Sequence, residues 1–165
     1  GAYGGEMKDV VASVRVMDRC GKITEFPADE LDFSYRHSRF AKSGEIILSA
    51  VIRLQKGDKV QIKAQMDELM EKRRSKQPLE FPSAGSTFKR PEGSYASLLI
   101  EQCGLKGVHV GDAEVSEKHS GFVVNKGNAD FKQLMELIKT VQDTVKEKTG
   151  YTLECEPLII SDKKL

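Results

Sequence analysis

The residues best suited to chemistry lie in one ten-residue stretch, Pro82 to Pro91, with the sequence PSAGSTFKRP. Gly85 allows the backbone to approach a ligand closely, and Ser86 places a hydroxyl beside it. Lys89 and Arg90 add fixed positive charge within reach of an anion. Because two prolines and a glycine are unsuited to the interior of a helix or a strand, the composition predicts a loop. The alternative interpretation is a solvated turn that only joins two elements.

Two further segments are cationic. The segment FSYRHSRF, Phe33 to Phe40, combines aromatic and positively charged side chains. Lys72 to Arg74 falls in the last turn of a helix predicted from Val60 to Arg74, for which Asp58 is the expected N-cap. Positive charge there complements the helix dipole, and it also suits an anion. The sequence leaves both interpretations open.

Charge, cysteine content and hydropathy limit the classes of function. The 165 residues contain 26 Lys and Arg against 25 Asp and Glu, so a net charge of +1 gives no long-range attraction to nucleic acid or an anionic membrane. The three cysteines are far apart and have no CxxC or histidine companions. This spacing argues against a disulfide framework and a metal site, and it fits a reducing cytoplasm. No apolar run reaches the roughly 18 residues that span a bilayer, so we expect a soluble protein.

Apolar periodicity predicts a mixed α+β chain in two lobes, divided near Lys76 to Pro82, where the prolines cannot continue a helix. The Glu45–Gln55 strand is the clearest, and we expect its sheet to be covered on at least one side. The last helix should bury a stripe made of Phe131, Leu134, Ile138, Val141 and Val145. The expected strands are Val10–Met17, Ile23–Phe26, Glu45–Gln55, Val108–Val110, Gly121–Asn125 and Tyr151–Ile160; the expected helices are Pro27–Leu31 (one turn), Val60–Arg74, Ser94–Gln102 and Ala129–Lys148, with GDAEVSEKHS as a loop.

Five motifs occur together in one order: YRHSRF, KQPLEFPSAGSTFKRP, LIEQCGLKG, VSEKHSGFVVN and LECEP. In order and approximate spacing the chain resembles the UDP-N-acetylenolpyruvoylglucosamine reductase family, flavoenzymes that make UDP-N-acetylmuramate for bacterial peptidoglycan. GAYGGE also resembles the end of that family's glycine-rich FAD-contacting stretch. The resemblance implies that residues 1–78 are the second portion of a two-part α+β FAD-binding domain. Residues 79–165 would form a smaller α+β substrate-binding domain.

The resemblance also implies catalytic roles. In the family NADPH reduces FAD, and hydride then passes to the enolpyruvyl group of UDP-N-acetylglucosamine enolpyruvate. Ser86 matches the proton donor, and Arg36 matches the arginine that faces the substrate carboxylate. Glu156 in LECEP matches the catalytic glutamate. Glu154 lies two residues away on the same face of a strand, so the choice between these two carboxylates stays open, and Pro157 departs from the family's usual apolar residue.

Binding residues follow from the same resemblance. Lys76 and Arg90 resemble positions that engage the diphosphate region of the substrate, and Tyr35 would line the flavin or substrate side of Arg36. Gly4 and Gly5 also match the family and, with Arg36, would contact FAD. His119 looks like a hydrogen-bond donor of the family, and its alternative role is a structural one.

The chain opens at Gly1, without an initiator Met, inside what looks like a tight turn, so we expect a piece of a longer protein. We therefore expect FAD to be absent or weakly bound, and the chain alone to be inactive. An incomplete first lobe also predicts dimerisation or strand swapping. The alternative function is a non-catalytic UDP-sugar-binding module. A nucleic-acid binder using Lys72 to Lys76 is disfavoured by the near-zero net charge.

Overall fold

A computed structural model describes residues 1–160 of the chain. The chain divides into two compact units, Gly1–Leu69 and Met70–Leu165. Helices and antiparallel sheets are present together, which confirms the predicted α+β class. The division falls inside a long helix. The predicted domain boundary between residues 78 and 79 stays a prediction.

The first unit is organised by a three-stranded antiparallel sheet of order β2-β1-β3. Its strands are β1 (Val11–Met17), β2 (Ile23–Pro27) and β3 (Ile46–Ile52). Alternation along β1 buries Val14 and Val16, as the sequence predicts. The core around them consists of Val11 and Leu31, with Phe26, Phe33 and Phe40 packed against it. Two short pieces lie between β2 and β3: a 3-10 turn, Ala28–Glu30, and the helix α1 (Phe40–Ser43).

Strand β3 and helix α2 (Lys59–Lys76) are open to solvent. Every residue of β3 is exposed, including Ile47 and Ile52, whose partners on β1 are buried. The expected cover on one side of the sheet is present over β1, where Val14 and Val16 are buried, but it does not extend to β3. The α2 prediction is confirmed, with the Asp58 carboxylate accepting from the N–H groups of Val60 and Gln61. Dimerisation through this unit stays a prediction.

The second unit contains a four-stranded antiparallel sheet of order β4-β7-β6-β5. Its strands and helices are β4 (Ser83–Ser86), α3 (Ala96–Gln102), β5 (His109–Val110), β6 (Ala113–Val115), β7 (Phe122–Asn125) and α4 (Phe131–Thr149). The prediction of an unbroken loop from Gly111 to Ser120 is wrong. Gly111, at φ +55°, turns the chain so that Val110 pairs with Ala113 and β6 joins the sheet.

Helix α4 covers the sheet and closes the core of the second unit. Its ends follow the sequence signals: Asp130 and Gln133 form a capping box, and Gly150 ends the helix at φ +79°. Leu137, Val141 and Val145 are fully buried. Two expectations are wrong here. Phe131, the first helical residue, is 55% exposed, and the expected strand Tyr151–Ile160 has only an isolated bridge, Cys155 with Phe88, in the part that the structure describes.

Candidate functional site

A tight turn in the first unit presents Arg36. Ser34 and His37 exchange two backbone hydrogen bonds of 3.2 and 3.1 Å, so Tyr35 and Arg36 are the two central residues. Arg36 has φ +54°, in the left-handed region that glycine normally occupies. Its guanidinium lies 4.9 Å from the centre of the Tyr35 ring, and both side chains are exposed. Backbone strain of this kind clusters at ligand-binding and catalytic sites, which makes Arg36 a candidate for such a role.

The base of this turn is anchored in the core of the first unit. Leu31 is completely buried, and its carbonyl accepts the Arg39 N–H at 2.9 Å. The Arg39 guanidinium lies 3.6 Å from the centre of the Phe26 ring. His37 and Asp32 are joined by a 3.0 Å contact between Nε2 and a carboxylate oxygen. These contacts fix the backbone that carries Tyr35 and Arg36, although neither side chain is itself buried.

The N-terminal GAYGG segment is a second tight turn of the first unit. Ala2 and Gly5 are bridged by two backbone hydrogen bonds, and Tyr3 and Gly4 both have positive φ, +51° and +84°. Consecutive positive φ values describe a type I′ turn. A β-carbon added to Gly4 would meet no atom within 4 Å, so the backbone is open on that side. The Gly5 N–H and carbonyl are both used in the bridge to Ala2, so a planar ligand can approach the turn on the open side at Gly4.

The stretch Pro82 to Pro91 differs from its prediction. Instead of a loop it begins with strand β4, whose Ser83 pairs with Val124 and whose Ser86 pairs with Phe122. The ladder is irregular between these pairs, where Gly85 has φ +83° and donates its N–H to the Ser83 hydroxyl at 3.3 Å. The glycine therefore provides a bulge rather than a chain reversal. Ser86 follows that bulge with an exposed side chain.

The backbone brings Ser86 and Glu156 onto neighbouring segments. Thr87, the next residue after Ser86, accepts the Glu156 N–H at 2.9 Å through its carbonyl. Its own N–H donates to the Gly121 carbonyl at 2.8 Å, and its buried hydroxyl accepts the Val123 N–H at 2.9 Å. Thr87 therefore joins three segments at one point. The sequence reading missed this residue, since nothing in its immediate neighbours indicates a junction.

The two glutamates of LECEP have different surroundings. Glu154 forms an ion pair with Lys89, 2.9 Å from carboxylate oxygen to Nζ, and its carbonyl accepts the Lys89 N–H. Glu156 is half-buried and lies opposite Thr87, one residue from Ser86. This arrangement favours Glu156 as the carboxylate beside Ser86 and gives Glu154 a structural partner. The sequence predicted Lys89 as a positive charge for an anionic ligand, whereas in the structure it pairs with Glu154.

Arg90 and Lys76 are two further candidate cations of the second unit. The Arg90 guanidinium stacks 4.0 Å from the centre of the Tyr95 ring, and its Nε donates to the Ser94 carbonyl at 3.4 Å. Such stacking holds the planar fork in one orientation while leaving its edge accessible to oxygen acceptors. Lys76 is the last residue of α2 and is exposed.

His119 is half-buried beside the β4–β7 pair. Its Nδ1 accepts the Gly121 N–H at 3.1 Å, and its ring packs edge-on against Phe122, with 4.9 Å between ring centres. Burial is the main cause that lowers the pKa of His119 below its usual range. A neutral ring with Nδ1 as acceptor leaves Nε2 as the donor. Phe122 is the strand partner of Ser86, so this donor lies near the same segment.

Residues 1–160 were also compared with the requirements of metal sites and membrane spans. No group of three metal-ligating side chains occurs in this range. None of the helices that the structure describes has the length and hydropathy to cross a bilayer. Cys20, Cys103 and Cys155 are free thiols.

Comparison with known proteins gives consistent matches. The family model described as UDP-N-acetylenolpyruvoylglucosamine reductase, C-terminal domain, matches residues 77–160. Proteins named UDP-N-acetylenolpyruvoylglucosamine reductase from Clostridium novyi (strain NT) and Clostridium tetani (strain Massachusetts / E88) are 55% and 52% identical to the chain. These alignments cover 99% and 100% of the chain, and 53% and 54% of the two relatives.

A solved structure agrees with these matches. The crystal structure of UDP-N-acetylenolpyruvylglucosamine reductase from Thermus caldophilus aligns with a TM-score of 0.79 and 35% sequence identity. That alignment covers 94% of this chain and 55% of the other. The chain thus spans about half the length of the curated relatives that it matches.

Proposed function

Because the chain belongs to the UDP-N-acetylenolpyruvoylglucosamine reductase family, we propose that it provides the substrate-binding part of an oxidoreductase acting on UDP-N-acetylglucosamine enolpyruvate. The product would be UDP-N-acetylmuramate, a precursor of peptidoglycan. The observation that carries this proposal is the hydrogen bond from the Glu156 N–H to the Thr87 carbonyl, which holds Glu156 next to the segment of Ser86.

We propose that the complete enzyme uses FAD and NADPH. The residues of the first unit fit a flavin nucleotide, since the exposed glycine turn at Gly4 and Gly5 suits a planar group and the guanidinium of Arg36 suits an anionic one. Bound and reduced FAD would supply hydride to the enolpyruvyl double bond. The three free cysteines suit a reaction in the reducing cytoplasm.

Reduction of the double bond also requires one proton, at the carbon next to the substrate carboxylate. We assign this proton to the Ser86 hydroxyl, which would recover it afterwards from solvent. A serine hydroxyl is a weak acid, so it can donate only to a strongly basic enolate held in contact with it. Glu156, if protonated, would donate a hydrogen bond to the same enolate oxygen, and Arg36 would pair with its negative charge.

We assign substrate binding to three other residues. Lys76 and Arg90 would neutralise the diphosphate, one as a compact ammonium and the other as a planar fork already oriented on Tyr95. Tyr35 would cover the substrate beside Arg36. Affinity that comes from two phosphate contacts of this kind is sensitive to salt. Raised ionic strength should therefore weaken substrate binding more than it lowers the turnover number.

The first experiment asks whether the chain by itself binds substrate or reacts. We expect no flavin absorbance in the purified chain and no NADPH oxidation, because it spans about half of its relatives' length. UDP-N-acetylglucosamine enolpyruvate should still shift NMR signals of Lys76 and Arg90. Binding without turnover, also in a full-length enzyme that carries this sequence, would instead support the non-catalytic UDP-sugar module.

The second experiment tests the catalytic assignment in a full-length enzyme that carries this sequence. Ser86→Ala should lower the turnover number by about 10²–10⁴-fold, the usual contribution of a positioned proton donor. Ser83→Ala is the matched control, because Ser83 is also in β4 and its hydroxyl bonds only the Gly85 N–H among the contacts described. Equal effects of the two substitutions would refute the role of Ser86.

A further inference from the structure

The segment that presents Arg36 is closed at three levels. The outermost closure is the hydrogen bond from the Arg39 N–H to the Leu31 carbonyl, at 2.9 Å. The innermost is the tight turn itself, which two backbone hydrogen bonds close. Between them, the ring Nε2 of His37 lies 3.0 Å from a carboxylate oxygen of Asp32. The closures are nested, and Arg36 lies inside all three.

The middle closure differs from the other two because side chains make it. An ionised carboxylate only accepts hydrogen bonds, so the His37 Nε2 is the donor, whether the ring is neutral or protonated. The outer and inner closures use backbone N–H and carbonyl groups, which nearly every residue type provides. The identities of Asp32 and His37 therefore decide whether the middle closure forms.

Two residues of this loop have a left-handed backbone: Asp32, at φ +48°, and Arg36, at φ +54°. That region is unfavourable for most residues, and aspartate is among the exceptions because its short side chain can hydrogen-bond locally. Here the local partner of Asp32 is His37. Arginine has no such short polar side chain, so the surrounding structure must impose the conformation of Arg36. The hydrogen bond that supports one left-handed residue thus closes the loop that contains the other.

The pair of Asp32 and His37 lies at the surface of the first unit. The His37 side chain is 39% exposed and that of Asp32 is 76% exposed. Exposed pairs of this kind contribute little to the free energy of unfolding. The fold of the first unit depends instead on the buried core to which Leu31 belongs. Loss of the bond between His37 and Asp32 should therefore loosen the turn while the unit stays folded.

We propose that His37, through its hydrogen bond to Asp32, is a positioning residue that orders the turn and so holds the Arg36 guanidinium for the negative charge of the enolate. The inference rests on the role proposed above for Arg36 and names the two residues that support it. With the turn ordered in advance, less conformational freedom is lost when the substrate binds. Without the bond, only a fraction of the molecules would hold Arg36 in the competent orientation, and catalysis would fall by that fraction.

NMR order parameters of backbone N–H groups test the ordering of the turn, in the 165-residue chain without substrate. Values of about 0.85 describe a rigid backbone, and values below about 0.6 a flexible one. His37→Ala leaves the backbone donors and acceptors of the turn in place, so the Tyr35 and Arg36 values should fall from the first range to the second while the Arg39 value stays high. His37→Gln should restore them, because its side-chain amide can donate to Asp32 from nearly the same position.

Matched variants separate the pair from a general effect of substitution. His109→Ala makes the same change at an exposed position of β5, in the other unit, and should alter none of these values. In a chain that already carries Asp32→Ala, His37→Ala should add no further loss, because residues that act as one pair are not additive. Unchanged order parameters in His37→Ala, or an equal loss in His37→Gln, would overturn the proposal.

Kinetics of a full-length enzyme that carries this sequence test the consequence for Arg36. His37→Ala should lower kcat by about 2- to 10-fold, the usual cost of ordering one flexible side chain, and His37→Gln should recover it. Because Arg36 is assigned to charge that develops in the transition state, kcat and kcat/KM should fall by the same factor. A loosened turn with unchanged kcat would overturn the positioning role. If the unaltered enzyme had no turnover, the proposed function would fail, whereas the order parameters would still decide whether His37 orders the turn.

Discussion

Thr87 is the residue whose replacement most directly tests the arrangement of the candidate site. Its hydroxyl is buried and accepts the Val123 N–H at 2.9 Å, while its carbonyl accepts the Glu156 N–H at 2.9 Å. Thr87→Val keeps the shape of the side chain and removes the hydroxyl, and with it the acceptor for Val123. The carbonyl remains, but the Val123 N–H loses its side-chain partner inside a strand that is itself buried.

The expected cost follows from this geometry. A buried donor left without an acceptor destabilises the folded state by about 1–3 kcal/mol. Since about 1.4 kcal/mol is a factor of ten, the opening equilibrium of the second unit should rise by about 5- to 150-fold. Thr87→Ser keeps the acceptor and removes one methyl group, for which the expected loss is about 0.8 kcal/mol, below the range for Thr87→Val.

Hydrogen exchange is the appropriate assay, because it reports on the second unit without assuming that the whole chain unfolds in one step. The Val123 and Glu156 amides should both exchange faster in Thr87→Val, and the effect should be smaller in Thr87→Ser. If Thr87→Val exchanged no faster than the unaltered chain, or if serine were as damaging as valine, the hydroxyl would not be holding these segments together.

Three further predictions concern other residues. Arg36→Gly and Arg36→Ala both remove the guanidinium, but only glycine relieves the left-handed backbone, so urea unfolding should show the glycine variant more stable by about 1 kcal/mol. Equal stabilities would show that the turn is unstrained. Burial raises the pKa of Cys155, so iodoacetamide at pH 8 should alkylate it more slowly than the exposed Cys20, as read by mass spectrometry. Burial lowers the pKa of His119 below 6.5, so on acidification this histidine is protonated in the unfolded chain at a higher pH than in the folded chain. The stability that the neutral ring contributes should be present above pH 6.5 and be lost as the pH falls through the folded-state pKa; His119→Gln should flatten this dependence.

Features that depend on local sequence were predicted well. Asp58 caps α2, the last helix spans Phe131–Thr149 against the predicted Ala129–Lys148, and the alternation of β1 gives its buried face. In each of these cases the residues that give the prediction lie only a few positions in sequence from the element that they predict. The backbone preferences of capping residues and glycines operate over the same short range.

Features that depend on distant partners were not predicted. The composition of Pro82 to Pro91 indicates a loop, but β7 supplies hydrogen bonds that make Ser83–Ser86 a strand. Similarly, alternation in β3 cannot show whether another element covers it. The motifs identified Ser86 and Glu156 separately, while their proximity depends on Thr87, whose partners are 34 and more residues away in sequence.

The candidate residues share one physical property that distinguishes them from ordinary surface residues. Ser86 and Arg36 have exposed side chains, but their backbones are fixed by a bulge in one case and by a two-bond turn anchored at Leu31 in the other. Backbone order of this kind is established when the chain folds, so less conformational entropy is lost when a ligand binds. The left-handed strain at Arg36, about 1–3 kcal/mol, must be offset by the packing of Leu31 and Arg39. Weakening that packing, for example by Leu31→Ala, should therefore relax the turn and impair ligand binding without altering any residue that contacts the ligand.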